Sequence, residues 1–430
     1  MSKVTIWGKI ALLASACGML VTGCGGGSSS GDDSEDRQHT ETEVETAGRL
    51  ALYDQDNAAI KVLELDSGAV IDSYTLVGEA PRMYASPGQR FAVILQRTEG
   101  LVSFLDSGFY MEDHGDHMHE YAEAPSLLNF TLSGSRPTHY TVHDDNAVIF
   151  NDAQAGLPSS LMVVSDSGIA AGQMDGELTL TNNMHGVAKL IGNELFVTYR
   201  DPSITETTLP AAVERYQYAD GLFTFEQRYE EPCPRLHGSA ATDSYIAFGC
   251  SDGVLVVDLT QPGFPASKLG NPASMADDTR IGSVYSHHDV AKFVGVAGNQ
   301  FFVMDPANAA DPYQELILPD GVSRVTQGFN PGGTHFYILG NDGNLYLYEV
   351  AADWAVSSAV AVTQAVGDDD VTPVVAAAPE DDRLYVLHTG GQSISAINGV
   401  TGANISTLDL DFTASTLVWL GFAEHHAHED

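Results

Sequence analysis

The sequence predicts an all-β protein, a β-propeller of eight blades, and three observations carry that expectation. From Arg49 onward, short runs rich in β-branched and aromatic residues recur, among them FAVILQ, ELFVTY, VLVVDL, FYILG and LYLYEV, each bounded by Gly, Asp or Asn. No stretch of that region carries a convincing amphipathic helical period. The runs group into a repeat of about 40–55 residues, which falls in the range of propeller blades.

Composition allows one large core and closes off some functions. The chain has 430 residues, is 43% hydrophobic, and sets 58 Asp+Glu against 19 Lys+Arg for a formal charge of −39. So much apolar material excludes wholesale disorder. So much negative charge repels phosphate backbones, which argues against nucleic-acid binding, and disfavours anionic membrane surfaces. Cations are the partners it allows.

The N-terminal segment sets the expected compartment. Residues 1–23 begin with Lys3 and Lys9, continue in an apolar run from Ile10 to Val21, and lead into Val21-Thr22-Gly23-Cys24. That stretch resembles the signal and lipobox of bacterial lipoproteins, with Cys24 as the lipidated first residue of the mature chain. The apolar run is too short to span a bilayer comfortably. Gly25 after Cys24 implies, by the same resemblance, the outer membrane, so the expected location is periplasmic with membrane contact through the lipid alone. Residues 24–48 are Gly/Ser-rich and acidic and read as a flexible tether. With Cys17 lost and Cys24 lipidated, the body retains Cys233 and Cys250. A disulfide is the expected state in an oxidising compartment, and a pair of thiolate metal ligands is the alternative.

The blade elements follow in order along residues 49–424. Three outer strands end in similar turn sequences: Leu65-Asp66-Ser67-Gly68, Leu105-Asp106-Ser107-Gly108 and Ser165-Asp166-Ser167-Gly168. The strands expected to line the axis are those at Met83-Tyr84-Ala85-Ser86, His139-Tyr140-Thr141-Val142, His185-Gly186-Val187-Ala188, His237-Gly238-Ser239-Ala240, His288-Asp289-Val290-Ala291, Gln327-Gly328-Phe329-Asn330 and Val374-Val375-Ala376-Ala377. The eighth unit is split: residues 49–76 supply three strands and Thr416–Phe422 the inner one. Pairing of these chain ends closes the ring and removes exposed edges. Seven blades is the alternative that the weakness of the repeats leaves open.

In that register His139, His185, His237 and His288 take the same lead position in consecutive blades, so four imidazoles are expected to converge in one funnel. Neutral imidazole is the commonest metal ligand, and three or four around one point suit tetrahedral zinc. His143 and His287 are the substitutes if the phase slips. A second cluster, Asp113-His114-Gly115-Asp116-His117-Met118-His119-Glu120, lies in a longer blade and offers His114, Asp116, His117 and His119 as ligands in a loop too mobile for rigid geometry. One thioether, Met118, among harder ligands favours zinc over Cu(I). Residues 425–430 form a shorter cluster with His425, His426 and His428, readable equally as a native tail.

Together the leader, the propeller, the Asp-His-Gly-Asp-His-x-His loop and the His-Gly units resemble the AztD-type zinc metallochaperones over residues 49–424. That resemblance implies a periplasmic propeller with one buried high-affinity zinc site, which passes the ion directly to the solute-binding protein of a zinc ABC importer. It implies the buried role for His139, His185, His237 and His288, and the mobile role for His114, His117 and His119. The chain departs from the soluble family norm in carrying Cys24. The expected protein is therefore a monomeric, non-enzymatic zinc carrier, with the loop standing at the funnel mouth to offer replacement ligands. Its zinc affinity is expected to fall as pH drops through about 6–7, where imidazole protonates. A protein-interaction scaffold with incidental histidines is the competing reading. A metal-dependent or quinoprotein-like enzyme is weaker, because no nucleophile–base pair stands out.

Overall fold

The structure, a computed structural model, describes residues 44–79, 82–113, 118–154, 156–367, 373–379 and 382–422. They form eight four-stranded antiparallel sheets, each made of consecutive strands except where the chain ends meet and where a hairpin is inserted. From the closing blade onward, the inner strands are Ala414–Leu420, Arg82–Ala85, Pro137–His143, Ala188–Ile191, Ser239–Ala241, Ser283–His287, Arg324–Phe329 and Val374–Ala378. The expected eight-bladed propeller is what the chain forms.

The radial position of a strand explains its sequence. Second strands such as Phe91–Gln96 and His335–Gly340 are buried at every residue, since a neighbouring blade covers each face. Hence the continuous apolar runs rather than an alternating pattern. Outermost strands such as Ala69–Thr75 and Asn404–Asp409 are exposed at nearly every residue. The core is accordingly a ring of layers between blades. In one layer Val148, Phe150 and Leu161 pack on Leu190, Leu195 and Val197 of the next blade.

Closure follows the predicted plan. Inner strand Ala414–Leu420 pairs antiparallel with Arg49–Asp54, with Leu50 opposite Trp419. Trp419 is 2% exposed and its indole Nε1 donates to the Ala47 carbonyl at 2.9 Å. The two strands that follow, Ala59–Glu64 and Ala69–Thr75, complete that blade.

Because successive strands are antiparallel, the start of each inner strand and the end of each second strand share one face, here the upper. Ends of inner strands and the connections after third strands share the lower. The inserted hairpin, Phe109–Asp113 with Met118–Ala122, follows the third strand Leu101–Asp106 and so has its feet on the lower face. Buried Arg49 holds both feet: its Nη1 donates to the Ser107 carbonyl and, at 2.6 Å, to that of Glu123, while its guanidinium lies 4.5 Å from the Phe109 ring. Phe109 also packs on Phe422, at 5.2 Å between ring centres.

One turn expectation changes. Ser165 does not end a hairpin; its hydroxyl accepts from Gly168 N and caps a six-residue helix, Asp166–Ala171. A side-chain cap and a tight turn share the same Ser/Asp chemistry, so the sequence motif does not separate them.

Replacing Trp419 with Ala should lower stability by about 3–5 kcal/mol, since it removes a buried aromatic and the bond that ties the chain ends. Urea unfolding of the two proteins measures the difference.

Candidate metal centre

His139, His185 and His237 come together at the upper end of the central channel, on three consecutive blades. The Nε2 atoms of His139 and His185 are 3.2 Å apart, and those of His185 and His237 are 3.1 Å apart. Among the described residues these three form a group whose potential ligand atoms all lie within 4.8 Å of one another.

Local sequence explains how each ring is presented. His139 is the third residue of its inner strand, whereas His185 and His237 stand just before theirs. The N–H of His185 donates to the Thr208 carbonyl and that of His237 to the Gly249 carbonyl, each at 2.9 Å. Both are followed by glycine for steric reasons. A Cβ on Gly186 would lie 2.3 Å from Thr198 Oγ1; Gly238 has φ +73° and would press on the Gly282 carbonyl at 2.6 Å. The buried Cys233–Cys250 disulfide ties the loop that carries His237 to the end of the adjacent second strand. The disulfide expectation thus matches the structure, and these cysteines are not metal ligands here.

The far side of two rings is held by acceptors. His185 Nδ1 is 2.8 Å from Asp152 Oδ2, which also accepts from Arg97 Nη2 at 3.1 Å. His237 Nδ1 is 2.6 Å from the Gly282 carbonyl oxygen. Carboxylate and carbonyl only accept, so both Nδ1 atoms carry the proton and both Nε2 atoms present lone pairs. Burial acts to raise the Asp152 carboxyl, but hydrogen bonds from His185 and Arg97 outweigh it and hold the group below the usual carboxylate range. Burial, and then the His185 and His237 rings, push His139 down to about 3. Burial also lowers His237, against the opposing Gly282 bond.

The lone pairs of His185 and His237, 3.1 Å apart, face one another and call for a cation between them, while His139 Nε2 stands 3.2 Å from His185 Nε2 with no acceptor fixing its own tautomer. Ligands about 2.0–2.1 Å from a tetrahedral zinc stand about 3.3 Å from one another, close to the two spacings observed. Asp152 lies behind the His185 ring, outside the group of ligand atoms, and its Oδ1 is buried with no hydrogen-bond partner. The donor set therefore fits a borderline divalent ion such as Zn²⁺.

The remaining candidates fall elsewhere. His288 does not join the group: the inner strand of its blade is Ser283–His287, and the run taken for it in the sequence begins the second strand at Val290. His288 therefore sits in the lower turn, five residues or more down the channel wall, and Gly282 occupies the corresponding upper position. Its neighbour His287 is engaged at both nitrogens, with Nε2 at 2.6 Å from the Pro331 carbonyl and Nδ1 accepting from Asp289 N at 3.2 Å. His143 ends the His139 strand at the lower face. His119 lies on the hairpin, in register with Glu112. His114, Asp116 and His117, like Cys24, His425, His426 and His428, lie outside the described residues. The hairpin's feet are on the lower face, and the loop expected at the mouth of the histidine site, residues 114–117, lies outside the described residues. The sequence reading missed Asp152 and Arg97. Asp152 ends the strand run AVIFND and looks like any turn-forming aspartate.

Comparison with known proteins follows the same line. No family model matches the chain. Zinc chaperone AztD of Citrobacter koseri is 25% identical over 398 residues, covering 89% of this chain and 90% of that protein. The chain is similar along its length to an AztD-type protein. A structure of apo AztD from Citrobacter koseri superposes with TM-score 0.73 at 22% identity, covering 88% of this chain and 99% of that one. A second crystal structure of the same protein gives TM-score 0.73 at 22% identity, covering 87% and 98%. At that identity the AztD structures establish the shared propeller.

Two outcomes follow. Between pH 6.5, where an unfolded imidazole titrates, and about 3, where His139 does, the unfolded chain binds more protons than the native one. The metal-free protein should therefore hold this contribution above 6.5 and lose it progressively as pH falls, read as a lower urea midpoint at pH 5 than at pH 7.5 and a shallower fall in His139→Gln. Asp152→Asn should weaken zinc binding about 10–100-fold by loosening His185, measured by competition with a chelator.

Proposed function

We propose that the protein is a zinc metallochaperone of the cell envelope, holding one Zn²⁺ through His139, His185 and His237 and passing it to the solute-binding protein of a zinc ABC importer. The observation that carries this reading is the convergence of three Nε2 atoms, with spacings of 3.1 and 3.2 Å, two of which, those of His185 and His237, have their opposite nitrogens held by Asp152 and Gly282. The relative's name, zinc chaperone, supports both the metal and the carrier role.

The layout suits retention with controlled release. The site is half-buried at the upper face, where a cavity of about 400 Å³ adjoins His185 and Asp152. A partner approaching from that side reaches the ion without the propeller opening. The hairpin, rooted on the opposite face, acts in this reading as a separate collector through His114, Asp116, His117 and His119. A role for the chain as carrier rather than catalyst follows from the same assignment. Residues 1–23 are the leader, Cys24 the lipid attachment and residues 24–48 the tether that places a monomeric propeller in the periplasm at the outer membrane.

Native mass spectrometry tests the assignment. The His185→Ala/His237→Ala protein should bind one zinc fewer per chain than the parent. Replacing residues 113–120 with a Gly/Ser linker should leave that tight zinc in place and slow transfer to a metal-free solute-binding protein. Loss of the tight zinc in the linker protein, or an unchanged count in the double variant, would contradict the assignment. A chain that carries no stoichiometric metal at all would favour the scaffold.

A further inference from the structure

The histidine site of an acidic protein is edged by arginines. Arg82 Nη1 donates to the Thr138 carbonyl, next to His139, at 3.0 Å. Arg97 bonds Thr138 Oγ1 at 3.0 Å and Asp152, the partner of His185, at 3.1 Å. Arg280 Nη1 donates to the Arg235 carbonyl, two residues before His237, at 3.0 Å. Each of the three imidazoles thus has a guanidinium hydrogen-bonded beside it. Arg136, exposed, lines the adjoining cavity together with Arg97, Gln154, Asn183 and His185.

This charge arrangement is unsuited to a bare cation. The charged side chains outside the triad that act on His139 and His237 are Arg82, Arg280 and Asp152. The single carboxylate among them is already engaged by Arg97 and His185, and it sits behind the His185 ring, outside the group of mutually close ligand atoms. Three neutral imidazoles leave both charges of Zn²⁺ uncompensated, and a fourth tetrahedral position open among the described residues. A site of this kind calls for an anion that can bond the metal with one atom and guanidinium groups with another. Carboxylate meets both requirements, because its two oxygens can bind different partners and it pairs with arginine in strong, directional hydrogen bonds.

Resting on the zinc-carrier reading, we infer that the metal site is completed by a carboxylate from outside the chain, seated in the arginine-lined cavity at the upper face. Its source is either a small free carboxylic acid or an Asp or Glu side chain of the docking acceptor. In the second case the arginines guide the acceptor's own ligand to the ion before the histidines let go. The same cavity then becomes the place where the fourth ligand is exchanged.

Cobalt(II) substituted into the full-length protein provides the test, because its visible absorption reports the ligands directly. Titration with acetate, against perchlorate at equal ionic strength, should shift the cobalt bands along a saturable curve. The Arg136→Gln protein, altered at the exposed arginine of the cavity, should bind the same amount of cobalt but need at least about tenfold more acetate to reach the midpoint. Native mass spectrometry of the zinc-loaded protein as isolated then separates the sources. A small carboxylic acid retained on it assigns a free ligand; an acetate response without such an adduct assigns a side chain of the acceptor. Bands indifferent to acetate, or an unchanged midpoint in the Arg136→Gln protein, overturn this inference while leaving the zinc-carrier reading intact. A protein that takes up no metal overturns both.

Discussion

Two hydrogen bonds on the outer side of the imidazoles govern the chemistry of the molecule. Asp152 holds His185 at Nδ1 and the Gly282 carbonyl holds His237 at Nδ1, which turns both Nε2 lone pairs inward. Without those acceptors each ring could flip or change tautomer and satisfy its neighbour as donor to acceptor. With them, the facing lone pairs of His185 and His237 call for something positive between them. Burial reinforces this by opposing protonation of His139 and His237, so a proton is the poorer occupant and a metal ion the better one.

The propeller makes this convergence inexpensive. Residues 46 and 52 positions apart along the chain become near neighbours because every inner strand begins at the same end of one axis. Each blade contributes a ring already fixed by its own backbone bonds, and the layers between blades resist displacement because their side chains are fully packed. The disulfide adds a local tie at the least regular of the three supports, the loop before a three-residue inner strand. Closure through Trp419 matters to the site for the same reason: a ring that opens loses the common axis on which the histidines meet.

Much of this was legible in the chain. Middle strands announced themselves as continuous apolar runs because both of their faces are covered, and the split blade was visible as three strands lacking a partner at one end and one at the other. The His-Gly pairs marked His185 and His237 because the backbone there leaves no room for a Cβ. The reading failed at His288, where adjacent histidines straddle the boundary between two strands, and apolar pattern alone does not say on which side the turn lies. It also passed over Asp152, whose role depends on a contact 33 residues away in sequence. The insertion was expected as a mobile loop of a longer blade at the funnel mouth, and that it is built on a paired hairpin with its feet on the lower face was not foreseen. That depends on counting strand directions, which makes any connection after a third strand a lower-face feature.

The histidine triad opens on the upper face, and the feet of the inserted hairpin stand on the lower one. The most direct examination of the central claim is zinc X-ray absorption on protein loaded with one equivalent of metal, with residues 113–120 replaced so that the propeller alone supplies ligands. The account predicts three imidazole nitrogens at about 2.0–2.1 Å and no sulfur. A shell with one imidazole or none, or with thiolate at about 2.3 Å, would contradict it.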